Sequence, residues 1–295
     1  MSLLDSIKSL VQDPPPAYLF EMSEAGIAFA HHGQTGFQPL APDTIIPSPV
    51  EDNLKRPDLA SAAIEKVAPL NGARKGKRRP AALILPDYAA RVTVLDFDSL
   101  PSSEEEQLPL VRFRVKKTIP FDIDSAALSY YVQPQQPKGQ APQAKGKIEV
   151  VAVTVGLEIV ARYEALFTGA GFHPGIVTTS SLSALRLYHG DGVSVIAKLA
   201  GKILTVMALV GNSLKLLRCV ALDQADEEEI RGVLHPTFAY VEDELGMPAQ
   251  RVLLCGFPIV PEGLPCQAEP LRGRAGTPGA FNAGLMGYME SAGLM

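Results

Sequence analysis

The residue types that most often carry out chemistry are few in this chain and form no recognised catalytic motif. Cys219, Cys255 and Cys266 lack the spacing of a metal site and lie in or near apolar segments. With no histidine in a pairing motif, they are predicted to be reduced core or loop residues. His31 and His32, at a predicted strand end, indicate a solvated loop pair. No GxSxG, HExxH or CxxC motif occurs, which argues against a hydrolase or a metalloenzyme.

Length and charge limit the kinds of protein that this chain can be. A chain of 295 residues is long enough for two lobes with separate cores, and its net charge of -5 gives no sign of a nucleic-acid-binding surface. No apolar run approaches the roughly 20 residues that span a bilayer. Residues 1–11 lack the basic start and the long apolar core of a signal peptide. We therefore expect a cytosolic protein with reduced cysteines.

The elements that must position any site are clearest in the first half of the chain. An apolar run over residues 81–85 predicts a buried strand, and Pro86 with Asp87 predicts the turn that ends it. Alternating β-branched residues predict a second strand over residues 91–97. These elements form a strand, turn and strand unit.

A helix and a third strand complete this region. Ser102 or Ser103 precedes three glutamates, which is typical of a capped helix start whose dipole is complemented by acids. Pro120 ends the predicted helix, and residues 126–132 read as a further strand that contains two tyrosines.

In order and spacing, this region resembles the PilM family of type IV pilus assembly proteins. The clearest match covers residues 85–132, and its most specific piece is the run KKTIPFD at residues 116–122. The family is related to the cell-division protein FtsA and has an actin-like ATPase fold. The resemblance implies an α/β, actin-like (ribonuclease H-like) fold of two lobes, with an inserted small α+β subdomain and a truncated second lobe.

The resemblance also implies domain limits. Residues 1–88 and 172–190 would form the first lobe, residues 89–171 the inserted subdomain, and residues 191–295 a reduced second lobe. A whole further subdomain normally lies within the second lobe of an actin-like fold. Only one predicted helix, over residues 227–245, fits at that place in this chain.

Three loops hold the nucleotide in active ATPases of this superfamily, and the resemblance implies that all three are degenerate here. Glu21 and Ser23 stand in a first loop that lacks the glycine needed for close approach to phosphate. Lys198 stands where the second loop has an acid, and a lysine cannot coordinate a metal. In the third loop, Gly256 is followed by Phe257, which adds bulk beside the adenosine. We therefore expect no cofactor, no metal and no enzymatic activity.

A partner is implied as well. PilM proteins bind the N-terminal cytoplasmic peptide of the inner-membrane protein PilN, in a groove between the first lobe and the inserted subdomain. The implied partner-binding residues are Arg112, Lys116, Phe121 and Tyr130, which could receive an extended peptide by side-chain pockets and main-chain pairing. We expect a cytoplasmic scaffold at the inner face of the bacterial inner membrane, held there by this PilN-like protein and other pilus platform proteins.

Two alternatives remain open. A residual ATP-binding actin-like ATPase would need a phosphate cradle, and no intact Walker-type or D-x-G loop occurs. A GspL-like component of a type II secretion platform would share the fold, but that family continues into a transmembrane helix, and this sequence reaches Met295 without one.

Three further segments carry weaker signals. Residues 2–12 form an amphipathic pattern with few basic residues, which favours docking on the protein's own surface over contact with a membrane or a partner. The basic run at residues 71–80 indicates a solvated loop. Residues 133–147 are a Pro-, Gln-, Gly- and Lys-rich loop without core-forming residues, so we expect them to be dispensable for stability.

Overall fold

The computed structural model describes residues 15–31, 33–69, 78–134 and 147–294, which form three sheets with helices packed on them. The first sheet begins with a three-stranded antiparallel meander, and its other two strands run parallel to the first strand. Its strands are β1 (Tyr18–Met22), β2 (Gly26–His31), β3 (Gln34–Pro39), β4 (Arg79–Leu85) and β8 (Phe172–Thr179), in the spatial order β3-β2-β1-β4-β8.

The second sheet repeats the strand order and the strand directions of the first. Only α5 (Glu227–Leu245) joins its third and fourth strands, and this helix continues through Pro236. The two lobes therefore share one topology. The strands of the second sheet are β9 (Val193–Ala200), β10 (Ile203–Val210), β11 (Ser213–Ala221), β12 (Arg251–Cys255) and β13 (Ala268–Pro270), in the spatial order β11-β10-β9-β12-β13.

The third sheet is antiparallel and consists of β5 (Arg91–Phe97), β6 (Ala126–Val132) and β7 (Ile148–Gly156), in the order β5-β7-β6. Its strands carry apolar residues on both sides, and each face packs in part against a neighbouring element. On one face Leu95 and Phe97 pack against α2 (Glu104–Val115). On the other face Val92 and Val94 pack against the second lobe, with Leu214 among their neighbours.

Two helices cover each face of the first sheet. The first pair is α1 (Pro57–Val67) with α3 (Leu157–Gly169), and the second is α4 (Ser180–Ala184) with α6 (Ala283–Ser291). The limits 89–171 placed α3 in the inserted subdomain. Its Tyr163 and Phe167 instead lie in the core of the first lobe, beside Phe20 and Phe172. The insertion therefore ends with β7, because the apolar face of α3 packs with the first lobe.

The inserted sheet is fastened to the second lobe at the end of β6. The Gln133 side chain donates to the Leu214 carbonyl (2.7 Å) and accepts from the Leu214 N–H (2.8 Å). Beside it, Lys215 forms an ion pair with Glu149, which also accepts from the Ser213 hydroxyl (3.0 Å). Gln133 is buried, so the expectation that the loop at residues 133–147 carries no packed residue is wrong at its first position.

Several predicted segments fall outside the described residues. These are the helix predicted at residues 2–12, most of the basic run at residues 71–80, and residues 135–146 of the low-complexity segment. The strands predicted at their borders are present, since β4 follows the basic run and β6 and β7 flank the low-complexity segment. In the part of the chain that the structure describes, no helix combines the length and the apolar character needed to cross a membrane.

Candidate functional site

The two lobes meet where the first strand of each sheet ends. β1 brings Glu21 to this cleft, and β9 brings Lys198 to it from the other lobe. The turn after β4 adds Asp87, and the start of α4 adds Ser180. Carboxyl ends of parallel strands in one sheet lie at the same edge, which is where α/β proteins commonly place their ligand sites. The cleft is therefore the position at which a nucleotide site is expected.

A buried ion pair crosses this cleft from one lobe to the other. The Lys198 ammonium donates to an Asp87 carboxylate oxygen at 2.8 Å, and both side chains are 4% exposed. Asp87 also accepts from the backbone N–H of Ser181 (2.6 Å), from its hydroxyl (2.5 Å) and from the Thr205 hydroxyl (3.2 Å). Burial acts to lower the pKa of Lys198, but the charges of Asp87 and Glu21 outweigh it and raise that pKa. Lys198 is therefore a cation whose charge is satisfied within the protein.

Glu21, the residue at the expected metal-facing position, is also engaged by the protein itself. Its carboxylate accepts from the Ser180 hydroxyl and from the backbone N–H of Leu285 (2.7 Å) in the first turn of α6. Burial raises the pKa of Glu21, although Lys198 and these hydrogen bonds act in the opposite direction. Glu21 thus joins β1 to α4 and α6. Within the described residues, no group of three or more histidines, cysteines or carboxylates is arranged to hold a metal ion.

The two hairpin turns that face each other across the cleft are in direct contact. Ser23 closes the first turn, since its hydroxyl donates to the Gly26 carbonyl (2.8 Å) and accepts from the Gly26 N–H (3.1 Å). Glu24, in the same turn, places its carboxylate so close to Gly201 that a Cβ there would lie 1.5 Å from the Glu24 Oε1 atom. The backbone N–H of Lys202 donates to this carboxylate. The Glu24 side chain therefore occupies the space between the turns.

The third loop, at Gly256 and Phe257, packs against the second lobe next to the end of β9. Gly256 has φ of +77°, and a Cβ at this position would lie 2.1 Å from the Leu199 carbonyl oxygen. A glycine is needed there because the chain passes so close to the end of β9. Phe257 packs on the core of the second lobe and does not line the cleft cavity. The expectation that Phe257 adds bulk beside an adenosine stays a prediction.

What remains of the cleft is a cavity of about 30 Å³. On this measure one water needs about 10–15 Å³, so the space admits about two or three waters. The ion pair, the Glu21 hydrogen bonds and the Glu24 carboxylate together fill the volume between the lobes. This arrangement joins the two lobes across the cleft.

A much larger groove, of about 690 Å³, lies between the inserted sheet and the two lobes. Its walls come from all three sheets: Tyr131 and Val153 from the insertion, Ile176 from β8, and Leu209 from the second lobe. Leu182, in α4, lines it as well. The lining is mostly apolar and aromatic, and it is shaped by elements that are far apart in sequence.

Only one of the four predicted partner-binding residues lies at this groove. Tyr130 lines it, although its hydroxyl donates to the Gln107 side chain on α2 (3.0 Å). Arg112 donates to the Ile123 carbonyl (2.6 Å) inside the insertion, and Phe121 packs on the core under α2. Lys116 is exposed at the end of α2. The placement of Arg112, Lys116 and Phe121 in the groove is therefore wrong, because α2 covers the opposite face of the inserted sheet.

Sequence reasoning also missed the residue that completes the cleft. Asp87 was interpreted only as part of a turn after β4. A lysine predicted inside a two-lobed cleft requires a carboxylate partner, since an unpaired buried charge is very costly. The Pro86-Asp87 turn at the end of a buried strand was the one signal that could have identified it.

Comparison with known proteins shows the fold class of this chain. The chain has an actin-like α/β fold, as predicted from the sequence. No family model matches the sequence, and no curated protein matches it.

Two solved structures are similar to this chain over nearly its whole length. The chain is similar to a "PilM-PilN type IV pilus biogenesis complex", at 16% identity and a TM-score of 0.69, over 95% of this chain and 99% of that chain. It is also similar to the cytoplasmic domain of EpsL, an inner-membrane component of the type II secretion system of Vibrio cholerae. That match has 14% identity and a TM-score of 0.53, over 94% of each chain.

Proposed function

We propose that this chain is a cytoplasmic scaffold of a type IV pilus, or of a related secretion platform, and that it has no ATPase activity. It binds the N-terminal cytoplasmic peptide of a PilN-like inner-membrane protein. The peptide occupies the groove between the first lobe and the inserted sheet. Contact with that protein and with other platform components holds the chain at the inner face of the inner membrane.

The observation that carries the proposal is the buried Lys198–Asp87 ion pair in the interlobe cleft. An ATPase of this fold would need a metal-binding acid and open backbone groups at this place. Here a lysine replaces the acid, Glu24 fills the space between the turns, and the remaining cavity is about 30 Å³. These features support a protein whose cleft is a structural joint.

The groove supports the binding half of the proposal. It combines a volume of about 690 Å³ with apolar and aromatic walls, which suits a peptide better than the filled cleft does. The likeness to a PilM–PilN complex favours a PilN-like partner. The likeness to the EpsL cytoplasmic domain favours a second candidate, a component of a type II secretion platform with the same mode of action.

Placing a charge in the groove is expected to abolish partner binding. Ile176 is 41% exposed on β8, so Ile176→Asp should fold normally while it puts a carboxylate against the apolar side chains of the peptide. We expect at least a tenfold loss of affinity, by fluorescence anisotropy with a labelled peptide of the PilN-like protein from the same genome.

Two matched variants locate the site. Ile259 is an exposed isoleucine on the second lobe, away from the groove lining, so Ile259→Asp should bind like the wild type. Arg112→Glu tests the α2 face that the sequence favoured. Loss of binding in Arg112→Glu with normal binding in Ile176→Asp would contradict the groove and place the partner on α2.

A further inference from the structure

The groove is bordered by two strands whose outer edges have no partner strand in the described part of the chain. β6 is the last strand of the inserted sheet, and β8 is the last strand of the first sheet. An unpaired strand edge presents a row of backbone N–H and C=O groups that another extended chain can pair with. Two such edges on one groove favour an extended occupant over a helical one, because a helix satisfies its own backbone groups.

Exposed apolar side chains stand beside these edges. Tyr131 on β6 is 60% exposed, and Ile176 on β8 is 41% exposed. Val153, Leu182 and Leu185 continue the apolar lining between them. A strand places alternate side chains on opposite sides, so one set of peptide side chains can meet the Tyr131 wall and the other the Ile176 wall.

The charges of the groove have one sign. No carboxylate lines it among the described residues, and Arg186 is an exposed lining residue without an ion pair in that part of the chain. His189, the other basic lining residue, contacts the Glu290 carboxylate at 2.7 Å. An arginine with free donors beside apolar walls is suited to a carboxylate, which it can bind with two parallel hydrogen bonds.

From these observations we propose the chemistry of the partner: an extended peptide with alternating apolar side chains and one acidic residue that pairs with Arg186. The peptide adds as a strand to an open edge of the groove. Backbone pairing supplies affinity, and the Arg186 contact fixes the register and the direction of the peptide. This inference rests on the proposed function, since it describes the segment that the scaffold binds.

A selection from a displayed library of random 12-residue peptides tests the chemistry without knowledge of the natural partner. Wild type, Arg186→Glu and Ile176→Asp are screened in parallel. We expect the wild type to enrich peptides with alternating apolar residues and an Asp or Glu at a fixed position. Arg186→Glu is expected to enrich Lys or Arg at that position, and Ile176→Asp to enrich neither set.

Backbone pairing is tested on the best acidic peptide from the wild-type selection. Methylating single backbone amides in turn removes one donor at a time. In a strand that pairs along one edge, alternate amides point to the partner. We expect a loss of at least about tenfold at every second amide and little change at the others. Replacing the acidic residue by Asn should weaken binding to wild type about tenfold and leave binding to Arg186→Gln unchanged.

The possible failures separate the two proposals. If wild type enriches peptides no better than Ile176→Asp does, the groove is not a peptide site and the proposed function falls with it. If wild type enriches peptides without a fixed acid, or amide methylation has no alternating effect, the scaffold proposal stands and the strand and Arg186 assignments are overturned.

Discussion

Replacing Lys198 by methionine is expected to lower the free energy of unfolding by about 3–5 kcal/mol. The substitution keeps most of the side-chain volume but leaves the Asp87 carboxylate buried without a counter-charge. Because the pair joins the two lobes, the loss should appear as a less cooperative unfolding transition as well as a lower midpoint. Urea denaturation followed by circular dichroism measures both.

Two further variants isolate the charge effect. Lys198→Met combined with Asp87→Asn removes both charges and keeps an acceptor for the Ser181 N–H, so it should recover much of the lost stability. Lys55→Met removes a lysine from an exposed ion pair with Glu51 and should change stability by less than about 1 kcal/mol. If Lys198→Met unfolds like Lys55→Met, the buried pair does not hold the lobes together.

Gly287→Val is expected to have an effect of similar size for a different reason. A Cβ at this position in α6 would lie 2.0 Å from the Ser183 carbonyl oxygen and 2.9 Å from the Ala184 Cα atom, both on the backbone of α4. Backbone cannot move aside as a side chain can, so the two helices must separate. We expect a loss of about 3 kcal/mol or more, measured by the same urea denaturation. The separation would also weaken the Glu21 contacts, because Ser180 and Leu285 lie on these helices.

Gly232→Ala is the matched control for this prediction. Gly232 lies inside α5, and a Cβ there meets nothing within 4 Å. An alanine in a helix interior is favoured over glycine by about 0.5–1 kcal/mol, so this variant should be slightly more stable than the wild type. A Gly287→Val protein as stable as the wild type would mean that α4 and α6 do not pack this closely.

The sequence predicts the fold better than it predicts the residues of the site. The alternation of residues 91–97 and the run at 81–85 predict strands that the structure contains, because local β-branched patterns determine local structure. Lys198 was singled out because the resemblance places it where the second loop has an acid. Its partner Asp87 is 111 positions away in sequence, and the turn after a buried strand is too weak a signal to show by itself that this aspartate is buried.

The groove shows the same limit. Arg112 and Phe121 occur in the most distinctive stretch of the chain, yet they pack within the insertion. The groove residues Tyr131, Ile176 and Leu209 come from three sheets, and they become neighbours only when those sheets are assembled. Gln133 is a comparable case, because its role depends on an edge strand, β11, that begins far along the chain at Ser213.

Side-chain contacts connect the elements that form the cleft with the elements that form the groove. The Lys198–Asp87 pair fixes the second lobe to the first, and the Gln133 and Glu149 contacts fix the insertion to the second lobe. The groove is therefore lined by parts of the chain that these contacts join to one another. We propose that the residues at the expected nucleotide position also hold the proposed peptide groove in shape.

Isothermal titration calorimetry of the wild-type chain with magnesium-ATP tests most directly whether this cleft is a structural joint or a nucleotide site. A site with a Kd on the order of 10 µM would stabilise the protein by about 2.7 kcal/mol at about 1 mM ATP, so binding of that strength would also raise the melting temperature clearly. For a structural joint we predict no saturable heat and no rise in melting temperature up to about 1 mM ATP. A one-site isotherm in the micromolar range, accompanied by an ATP-dependent rise in melting temperature, would contradict the structural joint.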